Sequence, residues 1–234
     1  MENEYGFWNH KYDFAEINKY NWRLVLKDNF QLNIKKITLL SMLFAFEVLL
    51  TIFSKYVLGG LLIMGFYSIE VSFFGILFIY LSSNIVYSAI INILVNSMRI
   101  VLPLGSDPIG VVAMTLSDLS FLIAFAVVFF FLKRSLLFRV KENNKMKYYL
   151  WMIVISGILA TLISASLSLL YNQTFIFEWY RTLYPALIPE KNSTLWFSIM
   201  FVGFGVTIAK FFCNLLLFVI SVKILVNLIN KHLF

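Results

Sequence analysis

Lys210 stands inside an apolar run, 195–228, that is long enough to cross a membrane. A charge at that depth costs about 2.5–3.5 kcal/mol on insertion scales, so such residues face a bundle interior or a polar cavity and mark a functional site by default. In GVTIAKFFCN, Thr207 at i−3 and Asn214 at i+4 share the lysine's helical face. Three polar groups on one stripe line a cavity, in which the ammonium donates to a ligand carbonyl or carboxylate, or they join helices together. A third reading lets the lysine stem extend to a membrane surface.

Other polar residues interrupt the apolar sequence. Glu70, in FYSIEVSFF, is either a helix N-terminal carboxylate favoured by the macrodipole or the rim of a pocket with Ser68 and Ser72. Asp107 before Pro108 is a helix-start signal, an N-cap followed by a first-turn proline. Arg99, beside Asn96, either extends outward or binds an anionic group. Asp118 and Glu47 sit deeper in their runs and are read as protonated, or as paired with Lys210 or Arg99. The substrate-binding candidates are Lys210, Thr207, Glu70, Ser72, Asn96 and Asn214. Ser41 and Ala45 form a small-xxx-small pair that lets another helix approach closely.

These residues are carried on apolar stretches near 37–57, 71–98, 109–132, 148–172 and 195–228. Four of the stretches read as single spans. The fifth, 71–98, has 28 uncharged residues broken by Ser82-Ser83-Asn84, and reads as one tilted helix or two short ones. Charge placement decides. The segment KRSLLFRVKENNKMK holds six Lys/Arg and one Glu, which places it in the cytoplasm. Lys35 and Lys36 place the N-terminal side there too, so an even number of spans must separate them. Two helices within 71–98 satisfy that parity. The expected fold is an all-α integral membrane protein, a bundle of six transmembrane helices with both termini cytoplasmic. Residues 1–34 form a cytoplasmic tail and 35–234 one membrane domain.

Composition excludes much else. Of 234 residues, 61% are hydrophobic and 18% aromatic. Only 13% are charged, against about 25% in soluble domains. One cysteine, Cys213, rules out an intrachain disulfide, and two histidines near the termini argue against a metal or haem centre. The chain has no GxSxG, HExxH or GxxxxGK[ST] motif, so no enzyme and no resident cofactor is expected. The basic segment is short and follows the positive-inside rule, which leaves no case for nucleic acid. The Asn172 and Asn192 glycosylation patterns read as accidental, because the Phe, Ile, Asn and Lys bias is bacterial. The expected location is a bacterial plasma membrane, with the lipid bilayer as first partner.

Four segments carry a family resemblance over roughly 35–228. KITLLSMLFAFEVLLTIF resembles a basic-then-apolar first helix with Ala-xxx-Ala, Ser41 and Ala45 standing at the alanines. SIEVSFFG resembles Lys-x-Asp-Phe-Ser-x-x-Pro, with Glu70 at the acidic position, Ser72 at the serine, Ser68 for the lysine and Gly75 for the proline. GSDPIGVVAM brings Ile-Gly-Val at the start of the fourth helix. GVTIAK resembles Pro-Phe-Asn-x-x-Lys, with Lys210 at the lysine and Thr207 for the asparagine. Together they are similar to the S component, the substrate-binding membrane subunit, of energy-coupling factor (ECF) vitamin transporters, most of all the riboflavin type. The resemblance implies a six-helix fold and a pocket near the outer face, covered by 58–69 and 173–194. Trp179, Tyr180, Tyr184 and Tyr171 would stack there on a flat ring. It implies as partners a coupling transmembrane subunit, docked at Ser41 and Ala45, and two ATPase subunits. The departures at Ser68, Gly75 and Thr207 leave the vitamin open between riboflavin and others such as folate or thiamine. A membrane assembly protein without a ligand, and a stand-alone proton-coupled transporter using Asp118 or Glu47, are the competing readings.

Overall fold

The structure, a computed structural model, describes residues 14–58, 70–101, 107–136, 145–185 and 189–232. Its regular elements among these residues are all helical. A 3-10 turn at Phe14–Glu16 precedes α1 (Trp22–Phe30) and α2 (Ile34–Leu58). There follow α3 (Phe74–Ser82), α4 (Ile85–Val101), α5 (Pro108–Leu136) and α6 (Lys145–Tyr171). A π turn at Asn172–Ile176 joins α6 directly to α7 (Phe177–Leu183), and α8 (Thr194–His232) ends the described chain.

Short polar side chains set the helix starts. Asn33 Oδ1 accepts from the Lys36 N–H at 2.7 Å and caps α2. Asp107 Oδ1 accepts from the Gly110 N–H at 2.6 Å, as its sequence signal predicts, with Pro108 opening α5. Ser193 Oγ accepts from the Trp196 N–H at 3.1 Å and caps α8. The break within 71–98 falls at residues 82–84. Ser82 and Ser83 hydroxyls donate back to the Ile79 carbonyl at 3.2 and 2.7 Å and close α3. Asn84 Oδ1 then accepts from the N–H groups of Val86 and Tyr87 at 3.0 Å and opens α4.

Among the described residues, four helical stretches are long and apolar enough to cross a membrane: Lys36–Val57, Pro108–Leu136, Lys147–Leu183 and Thr194–Val222. The chain is a helical membrane protein. The two pieces of 71–98 are shorter. α4 has 17 residues. α3 has nine, about 13 Å of helix against a hydrocarbon core of about 30 Å, so it does not span by itself. Its side chains are apolar almost all round and nearly all buried, as a helix enclosed on every side must be. It packs against α2, α4 and α8.

The polarity of the bundle is reversed from that of a soluble protein. Outward faces carry Leu49 and Phe53 of α2, Ile158 and Leu162 of α6, and Phe212 and Ile220 of α8. The interior holds serines, asparagines and charged residues beside a phenylalanine-rich core. Ser156, Ala160 and Ser164 make a buried small-residue stripe on α6, which brings the neighbouring backbones close. The Ser164 hydroxyl donates to the Ser117 carbonyl of α5 at 2.8 Å. Gly157 lies against Leu215 of α8 so tightly that a Cβ would overlap both its methyl groups.

One expectation changes. Residues 173–183 are not a loop over a pocket but a helical continuation of α6, since no proline follows Asn172 until Pro185. Residues 14–33 include the short helix α1 and contact the helices that follow. The Asn29 carbonyl accepts from Lys36 Nζ at 2.5 Å and from Asn84 Nδ2 at 3.1 Å, and Tyr87 donates to the Phe30 carbonyl at 3.0 Å. Residues 59–69, including Ser68, lie outside the described residues.

The α6–α8 contact predicts a contrast between two glycines. Gly157→Val is expected to lower the melting temperature in detergent, at a cost of about 1–3 kcal/mol for overpacking. Gly205→Ala, where a Cβ meets nothing within 4 Å, is expected to leave it unchanged or raise it. A thermal-unfolding series on the two variants checks this.

Candidate functional site

The polar residues of five helical or extended segments meet in one buried layer. α4 supplies a stripe, Ser88, Asn92, Asn96 and Arg99, at spacings of four, four and three residues, all of it buried. α5 supplies Asp118, α8 supplies Lys210 and Asn214, α2 supplies Glu47, and the extended residues before α3 supply Glu70 and Ser72. Arg99 and Lys210 are only 3% and 7% exposed.

Two ion pairs organise the layer. Lys210 Nζ donates to Asp118 Oδ1 at 2.6 Å. Asn96 Nδ2 donates to the other carboxylate oxygen at 3.1 Å, so Asp118 is held from two helices. Arg99 Nη1 donates to Glu70 Oε2, and Nη2 lies 3.5 Å from Ser72 Oγ. Glu47 adds a third carboxyl. Its Oε2 is buried and unpartnered among the described residues, as are Asn92 Nδ2, Arg99 Nε and Thr51 Oγ1. Asn96 makes one further contact, to Asn92 Oδ1 at 3.4 Å.

Asn214 performs a structural task. Its Oδ1 accepts from the Phe74 N–H at 2.9 Å, and so caps α3 from another helix. Its Nδ2 donates to the Glu70 carbonyl at 2.7 Å and the Lys210 carbonyl at 2.8 Å. The extended segment is held further by the Val71 N–H, which donates to Ser54 Oγ at 3.1 Å.

Phenyl rings wall the Lys210–Asp118 pair. The ammonium lies 5.2 Å from the Phe211 ring centre. Phe211 stacks on Phe121 at 4.4 Å, and Phe73 meets both edge-on at 5.4 Å. In so dry a setting a cation near a ring face gains about 2 kcal/mol.

Of the six substrate-binding candidates, Lys210 and Asn96 converge on Asp118, and Glu70 and Ser72 converge on Arg99. Asn214 ties the two groups through the backbone. Thr207 is half-buried, and its hydroxyl donates to the Gly203 carbonyl of its own helix at 2.8 Å. The four aromatic candidates divide. Tyr171 meets Ser120 Oγ at 3.0 Å, and Tyr180 donates to Asp107 at 2.7–2.9 Å. Trp179 and Tyr184 are exposed. Ser41 and Ala45 lie on the exposed face of α2. The sequence offers Arg99 as an outward-reaching or anion-binding group, and the anion it meets is the Glu70 carboxylate. The regular spacing of the α4 stripe is the signal for Asn92. Glu70 sits four residues before α3, so its carboxylate serves Arg99 and not the α3 terminus.

The arrangement can hold or exchange protons and can hydrogen-bond a polar molecule through its unpartnered donors and acceptors. Among the described residues no group of three His, Cys, Asp or Glu is placed to hold a metal ion. No family model matches this chain, and neither any curated protein nor any solved structure is detectably similar to it.

Breaking one member of a buried pair leaves an uncompensated charge, at a cost of about 3–5 kcal/mol. Lys210→Met and Asp118→Asn are each expected to destabilise strongly, and the double variant less than either. A double-mutant cycle on thermal stability in detergent checks the coupling.

Proposed function

We propose that the chain is the substrate-binding S component of an energy-coupling factor importer in a bacterial plasma membrane, with a vitamin, first riboflavin or a related flavin, as its cargo. One observation carries this reading: a layer of charged side chains, walled by phenyl rings, lies where a half-length helix begins inside a membrane bundle. Charges within membrane segments mark substrate or ion pathways. Interrupted helices are the usual means of exposing polar groups there. The unpartnered Arg99 Nε, Asn92 Nδ2 and Glu47 Oε2 are suited to a planar molecule with both donors and acceptors.

In this reading α2, α3 with the residues before it, α4, α5, α6 and α8 are the six helices, and both termini are cytoplasmic. The exposed Ser41 and Ala45 face of α2 receives the coupling transmembrane subunit. Two ATPase subunits supply the energy, in keeping with the absence of a phosphate-loop motif in this sequence. The Glu70, Ser72 and Lys210 matches to the riboflavin-type motifs set the first choice of cargo, and folate or thiamine stay within the same class. A second reading, a membrane assembly protein with no ligand, is favoured by one feature: Lys210 and Arg99 already pair with Asp118 and Glu70.

Protein purified in detergent from cells grown on rich medium is expected to carry a small molecule identifiable by mass spectrometry, with flavin absorbance in the blue. The Lys210→Met/Asp118→Asn double variant, folded by thermal-shift criteria, is expected to lose it. Another vitamin overturns the flavin alone. An empty protein, unmoved in thermal shift by any vitamin, moves the reading to an assembly protein. A reporter enzyme active only in the cytoplasm is expected to work at either terminus, and silence at one of them removes the six-helix topology.

A further inference from the structure

The buried layer holds three carboxyl groups, Glu47, Glu70 and Asp118, against two basic side chains, Arg99 and Lys210. Glu70 is paired with Arg99 and Asp118 with Lys210. Glu47 is left over. Its surroundings offer one hydrogen-bond partner, Ser72, and no donor to Oε2 among the described residues. The groups facing it are Thr51 one turn on in α2, Glu70 and Ser72 before α3, Arg99 of α4 and Asp118 of α5, with Lys210 of α8 behind Asp118. The Gly75 backbone lies beside it, so near that a Cβ there would overlap Oε2.

A carboxylate in this place needs one positive charge that the described residues do not supply. Leaving it ionised and unpaired, buried beside two other carboxylates, is prohibitive. We propose that Glu47 is a proton-binding site: its carboxyl holds a proton while Arg99 pairs with Glu70, and on losing it Glu47 takes over the guanidinium. In the exchange the Glu47 O–H bond breaks, the proton passes to Glu70 as Arg99 leaves it, and the new Glu47 carboxylate accepts from Arg99. Glu70 is then the neutral member, and the layer keeps one proton for its three carboxyls and two cations. Arg99 has a donor free for this, since its Nε–H is buried and unpartnered among the described residues. A sodium ion would supply the same charge. The proton fits better, because among the described residues no group of three His, Cys, Asp or Glu is placed to hold a metal ion. The inference goes beyond the proposed transport role and holds whatever the cargo is.

Infrared spectroscopy of the full chain in detergent reads the proton directly. The expected result at neutral pH is a protonated-carboxyl C=O band that disappears in Glu47→Gln. In Glu70→Gln the same band is expected to vanish, because Arg99 then passes to Glu47. Should Glu47→Gln fail to fold, Glu47→Asp keeps the carboxyl and is expected to shift the band. A wild-type protein without the band, or a band that survives Glu47→Gln, overturns the site. A band unmoved in Glu70→Gln overturns the exchange of Arg99. No band together with a higher melting temperature in sodium than in choline chloride assigns the charge to a metal ion instead.

Discussion

Every charge placed in a membrane interior must find its opposite, and that requirement governs how these helices are turned. Lys210 reaches Asp118 only if α8 and α5 present those two positions to each other. Arg99 reaches Glu70 only if the whole α4 stripe faces inward and the chain before α3 runs extended. Apolar packing cannot impose this, because lipid is as apolar as the phenylalanine core and offers it no contrast. The ion pairs thus act less as a source of net stability than as a condition on helix rotation. Asn214 extends the same logic to the backbone, giving the α3 terminus the acceptor that water would give elsewhere.

Much of this was legible in the sequence. The Asp107-Pro108 start, the break at Ser82-Ser83-Asn84 and the depth of Lys210, Asp118 and Glu47 are local properties of residue type, and the structure keeps them. Asp118 with Lys210 was one of two pairings left open, and the structure selects it. Partner choice was not legible. Periodicity says that Asn214 shares a face with Lys210, and not that its amide will cap another helix. The length of α3 was hidden for a related reason. An enclosed nine-residue helix and a slice of a longer span have the same composition, and only the neighbours separate them. The helical course of 173–183 was misread because polar Asn172, Gln173 and Thr174 look like an ending, yet none of them forbids helix.

The sequence also understated how closely the helices approach. Ser41 and Ala45 form a small-residue pair in the sequence, but they are exposed, while a buried small-residue stripe runs along Ser156, Gly157, Ala160 and Ser164 of α6. Sequence alone does not say which small-residue stripe faces inward. Here the inner one meets α5 through Ser164 and α8 through Gly157.

The π turn at Asn172–Ile176 divides a rod of 37 residues, about 55 Å long, well over the thickness of a hydrocarbon core. Within the rod, one face must meet α5 at two widely separated points. Ser164 points to α5 through the Ser117 carbonyl, and sixteen positions later Tyr180 points to Asp107 at the start of the same helix. A uniform α-helix would carry the second contact out of phase with the first. The wider turn acts as a spline between two misaligned gears, resetting the angle without breaking the shaft. Its cost in backbone geometry is the condition for one continuous helix to grip α5 at two heights.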